Sequence, residues 1–391
     1  MGRTIRILLV EDCDDDGVLL MAELRGAGFD PDYQRVETAE QMAAALEDGP
    51  WDLIISDYTL PRFNAPAALA LVNQKEIDVP FFVVSGAVGE ETAVAMMRAG
   101  AHDYFLKNKL TRLSAAVERE LREAEVRRQR QQVQDALDES KAELFAAGQI
   151  QRAFLPQSPP TLPGFDIAGA LYPSEFAAGD YFDYLPMVDG SLGVVIGDAA
   201  GHRFGSALLM TSTRAYLRSL VRMHTSVVEI LEFANAILLE EIHSDHFVTL
   251  FLGRVNPRTG HFLYASAGHE TGYLIGSAGQ IKARLESTGL PLGVNADAQF
   301  LPGGHFEMQR GDIVFLLTDG VRDARSPSQE SFGIARALQV VAENREKPAS
   351  QIIESLSAAI TEFVGEEQLF DDVAMMVIKA TRGNGKRKGA E

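Results

Sequence analysis

From residue 111 to 154 the chain has no proline and no glycine before Gly148, and is rich in Glu, Arg, Gln and Ala. That composition favours one continuous helix. Val126, Val133, Ser140, Ala147 and Phe154 fall seven residues apart, and Leu137, Leu144 and Gln151 follow Val133, Ser140 and Ala147 by four. This is a heptad seam of moderate quality with charges beside it. A solvated spacer helix held by i,i+4 ion pairs is the plainer explanation. The seam favours a parallel coiled-coil homodimer joining two domains. Pro156, Pro159, Pro160 and Pro163 then end the helix.

A chain of 391 residues suits two or three domains at ~100–200 residues each. The expected division is a first domain over 1–120, a linker helix over 121–155, a second domain over 156–380 and a tail over 381–391. The tail mixes Gly, Lys and Arg without an apolar pattern, and is expected to be disordered. Lys and Arg number 36 against 55 Asp and Glu, a net charge of −19. So acidic a chain is poorly suited to nucleic acid, whose phosphates are bound through basic residues. No apolar run reaches the ~18–20 residues of a membrane span, and the N-terminus has no signal-peptide pattern. Cys13 is the single cysteine, which excludes an intrachain disulfide and fits a reducing cytoplasm.

Before the linker, short apolar runs alternate with amphipathic stretches. Ile5–Val10, Leu53–Ser56, Phe81–Val84 and Tyr104–Leu106 read as strands, and Asp16–Leu24 and Thr92–Ala99 as helices. Alternation of this kind implies βαβ units, a doubly wound, flavodoxin-like α/β domain with a parallel sheet covered on both faces. In such sheets chemistry gathers at the carboxyl ends of strands. Those ends carry Glu11 and Asp12, Asp57, Ser85 and Lys107. Any one strand-end acid could simply cap the helix that follows. Three converging carboxylates repel one another unless a cation sits among them, and all-oxygen donors suit Mg²⁺. Lysine pairs with added negative charge and a hydroxyl can bond a phosphoryl oxygen. The set reads as a carboxylate that accepts a phosphoryl group with Mg²⁺ assistance.

Glu11-Asp12, Asp57, Ser85 and Lys107, at this spacing, resemble the active-site set of bacterial response-regulator receiver domains over residues 4–120. The resemblance implies that Asp57 is phosphorylated by a sensor histidine kinase or phosphotransfer protein. It implies that Asp12, Asp57 and the Thr59 carbonyl hold Mg²⁺, with Glu11 acting through a metal-bound water. Ser85 and Tyr104 stand at the family's switch pair. Asn108 departs from the family, which usually has proline after the lysine.

Past the prolines the pattern becomes β-rich. Gly193–Gly197, Phe247–Leu252, His261–Ser266, Ile313–Thr318 and Val373–Ile378 read as strands. Ser206–Leu220, Val227–His243 and Ala349–Phe363 read as amphipathic helices. Strands interrupted by helix pairs predict an α+β sandwich. Asp198 and Asp319 follow apolar strands, Asp371 and Asp372 precede one, and Asp180 and Asp183 lie close together in Ala178–Asp183. Turn chemistry could account for the Asp319-Gly320 pair alone. Several acids at strand ends beside Gly179, Gly197, Gly201 and Gly320 read instead as a cage for two hard cations that activate water and clamp a phosphoryl oxygen.

Phe154-Leu155-Pro156, Ala178–Asp183, Ile196–His202, Ala265–His269, Leu317–Gly320 and Phe370–Ala374, in that order, resemble the PPM-type metal-dependent protein serine/threonine phosphatases. The similar subgroup is the bacterial one that drives sporulation and stress-response partner switching. The resemblance implies two Mg²⁺ or Mn²⁺ ions. Asp198 would bridge both, the Ala199 carbonyl would be a ligand, Asp319 and Asp371 would complete one site, and Asp180 would help hold the other. Water would attack a phosphoserine or phosphothreonine with no covalent enzyme intermediate, on a phosphorylated anti-sigma factor antagonist as substrate. His202 and His269 are candidate proton donors, though a glycine-flanked histidine is as often structural. Ala178, Ala199-Ala200 and Ala374 replace bulkier or different family residues. They leave open a receiver-gated, non-catalytic adaptor, against which the four retained acids argue. A faint likeness of residues 178–182 to diguanylate cyclases leaves Asp198, Asp319 and Asp371 unexplained. The expectation is a cytoplasmic response regulator whose phosphatase output is controlled through Asp57.

Overall fold

A computed structural model describes residues 2–86, 89–201, 204–242, 246–365 and 369–382. The chain separates into two compact units, Met1–Glu139 and Ser140–Glu391. No helix among the described residues is long and apolar enough to cross a membrane.

In the first unit five parallel strands, β1 (Arg3–Val10), β2 (Phe29–Val36), β3 (Leu53–Asp57), β4 (Phe81–Ser85) and β5 (Asp103–Leu106), lie in the order β2-β1-β3-β4-β5. Helices α1 (Asp14–Gly26), α2 (Ala39–Ala45), α3 (Ala65–Gln74), α4 (Glu90–Ala99) and the start of α5 (Leu113–Phe154) cover both faces. Two buried clusters follow from strand alternation. Leu8, Val10, Ile54 and Val83 pack to one side, and Ile7, Leu9, Ile55 and Phe82 to the other. Strand β2, which sequence reading did not single out, is polar and contains Pro31. It pairs only with β1, and a sheet edge is where proline's missing donor is tolerated.

Helix α5 is continuous across the expected linker, and the boundary between the compact units falls inside it, after Glu139. Its last turns pack on the second unit. The Phe145 and Phe176 rings meet edge to face. A side chain on Gly148 would place Cβ 1.8 Å from the Phe176 carbonyl oxygen, so only glycine permits this approach. Val133 is 70% exposed and Leu137 46%, whereas Gln151 and Phe154 of the heptad seam contact their own domain. The seam left free thus ends before those last turns.

The second unit is a sandwich of two five-stranded sheets. One holds β7 (Asp180–Pro186), β8 (Leu192–Ala199), β9 (Val248–Asn256), β10 (His261–Ala267) and β13 (Gly304–Glu307), in the order β13-β10-β9-β8-β7. The other holds β6 (Phe165–Tyr172), β11 (Gly272–Ile275), β12 (Ile281–Leu285), β14 (Ile313–Leu317) and β15 (Val373–Ala380), in the order β12-β11-β14-β15-β6. Helices α6 (Phe204–Leu220) and α7 (Val227–Glu241) cover the first sheet. Helices α8 (Asp319–Asp323), α9 (Gly333–Glu343) and α10 (Ala349–Val364) cover the second. The apolar runs are unbroken because both faces of the central strands are buried. On β14, Ile313, Phe315 and Leu317 face the helices while Val314 and Leu316 face the other sheet. Each such residue withdraws roughly 2 kcal/mol of side-chain transfer energy from water. The tail beyond residue 382 and the end of the expected helix at His243 lie outside the described residues.

Candidate active sites

In the first unit, Glu11, Asp12 and Asp57 bring carboxylate oxygens within 4.8 Å of one another, the one such acidic trio among the described residues. Parallel pairing sets this up. Val10 lies opposite Ser56 in adjoining strands, so Glu11 and Asp57 leave the sheet side by side. Lys107 follows β5, and its backbone N–H donates to the Ser85 carbonyl at 2.9 Å. Its ammonium donates to Glu11 at 2.9 Å, Asp57 at 2.8 Å and Asp16 at 2.5 Å. Burial pulls the lysine's pKa down, but bonds to Asp16, Asp57 and Glu11 outweigh it and hold the pKa above its ordinary value. Burial raises Glu11, offset in part by Lys107 and the Cys13 N–H.

Ser85 ends β4, Tyr104 lies in β5 opposite Val83, and Thr59 follows Asp57 in a bridge to Asn64. Asp16 was not anticipated as part of this set. Its place among three consecutive acids at the start of α1 reads as a favourable helix-dipole arrangement. The available signal was its position one turn beyond Asp12.

The second unit assembles its acids from both sheets. Asp180 on β7 and Asp198 on β8 are direct cross-strand partners. Asp319 begins α8 with only Thr318 between it and β14, and Asp371 stands two residues before β15. The two segments approach so closely that a Cβ on Gly320 would fall 1.8 Å from the Asp372 carbonyl oxygen. Asp198, Ala199, Gly179, Ser206, Asp371 and Asp372 line a common cleft of about 210 Å³. None of the described residues lining it is basic. Asp198 is accordingly pushed up to about 7, by burial and then by the charges of Asp319, Asp371 and Asp372. Burial and Asp198 drive Asp180 well above the carboxylate range, although the Thr318 hydroxyl donates to it at 2.6 Å. An all-oxygen site that strains to shed negative charge fits hard divalent cations.

Three residues act here without having been given roles. Asp372 accepts from the Ser174 N–H at 2.7 Å, the Ser174 hydroxyl at 3.0 Å and the Gly179 N–H at 2.7 Å. It therefore fixes the loop leading into Asp180. Thr318 joins Asp180 to the Ala374 N–H, which donates to its hydroxyl at 2.9 Å. Gln151 of α5 donates to the Ala178 carbonyl at 2.7 Å and accepts from the Ala178 N–H at 2.9 Å. The doubled Asp371-Asp372 was visible in the sequence; a glutamine on a helix carried no signal. The alanines at 178 and 374 make these bonds through their backbones, so their small side chains remove none of them.

Asp183, read together with Asp180, belongs elsewhere. Three residues along a strand reverse the face. It is fully buried, receives both guanidinium bonds of Arg218 at 2.7 Å and the Tyr181 hydroxyl at 2.8 Å. His269 is buried too. Its Nε2 lies 3.2 Å from the Leu317 carbonyl and its Nδ1 3.0 Å from the Thr249 hydroxyl. Burial lowers its pKa to about 4, so the ring is neutral near pH 7. With both nitrogens engaged, it ties β9 to β14, in agreement with the structural reading. His202 lies outside the described residues.

Comparison with known proteins agrees with this division. Residues 7–118 match the response regulator receiver domain, and residues 188–381 match stage II sporulation protein E, SpoIIE. Protein IcfG of Synechocystis is 27% identical over 83% of this chain and 52% of its own length. The chain thus spans about half of that relative. Phosphoserine phosphatase RsbU of Bacillus subtilis is 25% identical over 62% of this chain and 71% of its own. The SiaA-PP2C domain of Pseudomonas aeruginosa has the same fold, with a TM-score of 0.55 at 22% identity, over 62% of this chain and 98% of that one. The chain thus carries a response regulator receiver domain over residues 7–118 and a SpoIIE-type, PPM protein serine/threonine phosphatase domain over residues 188–381.

Proposed function

We propose that this protein is a response regulator whose output is the metal-dependent dephosphorylation of a phosphoserine or phosphothreonine protein. The observation that carries the reading is the cross-strand pair Asp180–Asp198 beside Asp319 and Asp371, with Asp198 raised to about 7 by burial and by the charges of Asp319, Asp371 and Asp372. Asp180, Asp198, the Ala199 carbonyl, Asp319 and Asp371 would hold two Mg²⁺ or Mn²⁺ ions. Bound there, the cations supply Lewis acidity for a water attacking phosphorus and for the phosphoryl oxygens. The chain's own part is to hold the acids in place. Asp372 anchors the loop before Asp180, Thr318 orients the Asp180 carboxylate, and His269 ties together the strands that lead to Asp319 and flank Asp198.

Control is assigned to Asp57, phosphorylated by a sensor histidine kinase or phosphotransfer protein in a pocket where Asp12, Asp57 and the Thr59 carbonyl would hold Mg²⁺, with Glu11 helping through a water. Ser85, Tyr104 and Lys107 would sense the new phosphoryl group. Helix α5 would carry the change. Its Gln151 bonds both backbone groups of Ala178, one residue before the Gly179 anchored by Asp372. Exposed Val126, Val133, Leu137 and Leu144 support a homodimer through the same helix. The proposed substrate is a phosphorylated anti-sigma factor antagonist, in keeping with the likeness to a phosphoserine phosphatase.

The test is Mn²⁺-dependent hydrolysis of p-nitrophenyl phosphate by the purified protein beside Asp319→Ala, with and without beryllofluoride on the receiver. Metal-dependent turnover that vanishes in the variant supports the enzyme. No turnover under any of these conditions refutes it. Equal turnover with and without beryllofluoride refutes control through Asp57.

A further inference from the structure

A second cleft, of about 310 Å³, adjoins the carboxylate site. Arg325, Gln329, Val364 and Leu369 line it and not the carboxylate cleft, while Ser174, Glu175 and Phe370 line both. Whatever occupies one therefore abuts whatever occupies the other.

The wall bearing Arg325 is cross-linked by its own hydrogen bonds. The Arg325–Ser331 segment closes on itself, with the Ser326 N–H donating to the Glu330 carbonyl at 2.9 Å and the Gln329 N–H to the Ser326 carbonyl at 2.8 Å. Gln329 has φ +64°, a left-handed conformation that costs a non-glycine residue about 1 kcal/mol or more. Such strain persists where the surroundings over-determine it, commonly at ligand-binding sites.

Arg325 is exposed and forms no ion pair within 4.0 Å among the described residues, in a chain with a formal charge of −19. Its guanidinium lies 5.5 Å from the Phe370 ring, and one of its five N–H groups donates to Gln329 at 3.3 Å. Phe370 itself is 77% exposed and immediately precedes Asp371. An uncovered aromatic beside an arginine held in place is the composition of an interface anchor. Among the described residues lining the second cleft, Arg325 is the one basic residue, and the one acid, Glu175, is shared with the carboxylate cleft.

We infer that this cleft docks the stretch of substrate polypeptide next to the phosphorylated residue, and that Arg325 selects a carboxylate in that stretch while Phe370 packs beneath it. The inference rests on the phosphatase reading and adds the feature of the substrate that the enzyme recognises.

The experiment uses the full-length protein with Mn²⁺ and two phosphoserine peptides, one flanked by glutamates and the other by glutamines. The readout is the ratio of their kcat/KM values. The wild type is expected to favour the acidic peptide about tenfold, one desolvated charge-assisted bond's worth. Arg325→Gln is expected to bring the ratio near one, Arg325→Lys to keep part of it, and Arg325→Glu to shift preference to a lysine-flanked peptide. A wild-type ratio near one, or a ratio unchanged in Arg325→Gln, overturns the inference. Anisotropy of the labelled peptides on Asp319→Asn gives the same ratio from binding alone. Failure of catalysis is thereby separated from failure of the docking cleft.

Discussion

Lys107 sits among Glu11, Asp16 and Asp57 in the receiver, whereas no described residue lining the acidic cleft of the phosphatase domain is basic. Both sites gather acids at strand ends, and both face the same repulsion. In the first, the chain supplies one counter-charge itself, so the pocket is partly paired from within. In the second, burial and then the unrelieved repulsion of Asp319, Asp371 and Asp372 push Asp198 up to about 7. On the proposed function, a pair of cations would relieve that repulsion. A switch and a catalyst thus differ in where their positive charge comes from.

The largest test of this contrast is Asp319→Asn. It should lower Mn²⁺-dependent kcat/KM by about 10³-fold, or ~4 kcal/mol of transition-state stabilisation. Uptake of phosphate by Asp57, followed on Phos-tag gels with acetyl phosphate, should be unaffected. Loss of both would mean the two sites are not separate.

His269 gives the next effect. Burial depresses its folded pKa to about 4 from the ordinary 6.5, so the unfolded chain binds the extra proton between those values. Its contribution is present above pH ~6.5 and is lost as pH falls toward 4, about 3 kcal/mol in all. Calorimetry of the phosphatase-domain transition should show a shallower slope in that window for His269→Gln. An identical slope would refute the assignment.

Lys107→Met should make the receiver resemble the other site. Unpairing its acids should cost roughly 2 kcal/mol without metal, recovered by Mg²⁺ in urea melts. A variant as stable as wild type and indifferent to Mg²⁺ would break the comparison.

The smallest effect concerns Asp198. Because proton and cation compete for it, Mn²⁺ affinity should fall up to tenfold, about 1.4 kcal/mol, for each pH unit below 7. Titration calorimetry from pH 8 to 6 measures this, and a flat profile would contradict the raised pKa.

Much of this contrast was legible before any coordinates. Strand-end acids are readable because apolar runs mark the strands and the residues just beyond them must emerge at a sheet edge. Polar β2, the mixed β6 and β7 and short β12 and β13 lacked such runs, and the short Tyr273–Ile275 run of β11 stood beside no strand-end acid. Asp16, Asp372 and Gln151 were not assigned because helix starts, doubled acids and helix-surface glutamines each have ordinary local explanations. Asp183 was grouped with Asp180 because nearness in sequence does not report which face of a strand a side chain takes.

Local patterning determined the two-part architecture, the long proline-free helix and the identity of the acids, since periodicity and backbone chemistry act over a few residues. Tertiary structure alone decided which acids meet. Asp180 reaches Asp198 through strand register, Asp319 and Asp371 join them only when two sheets stack, and Arg325 comes beside Phe370 across 45 residues of chain. Such contacts depend on closing long loops around a buried core, and no short window of sequence encodes that closure.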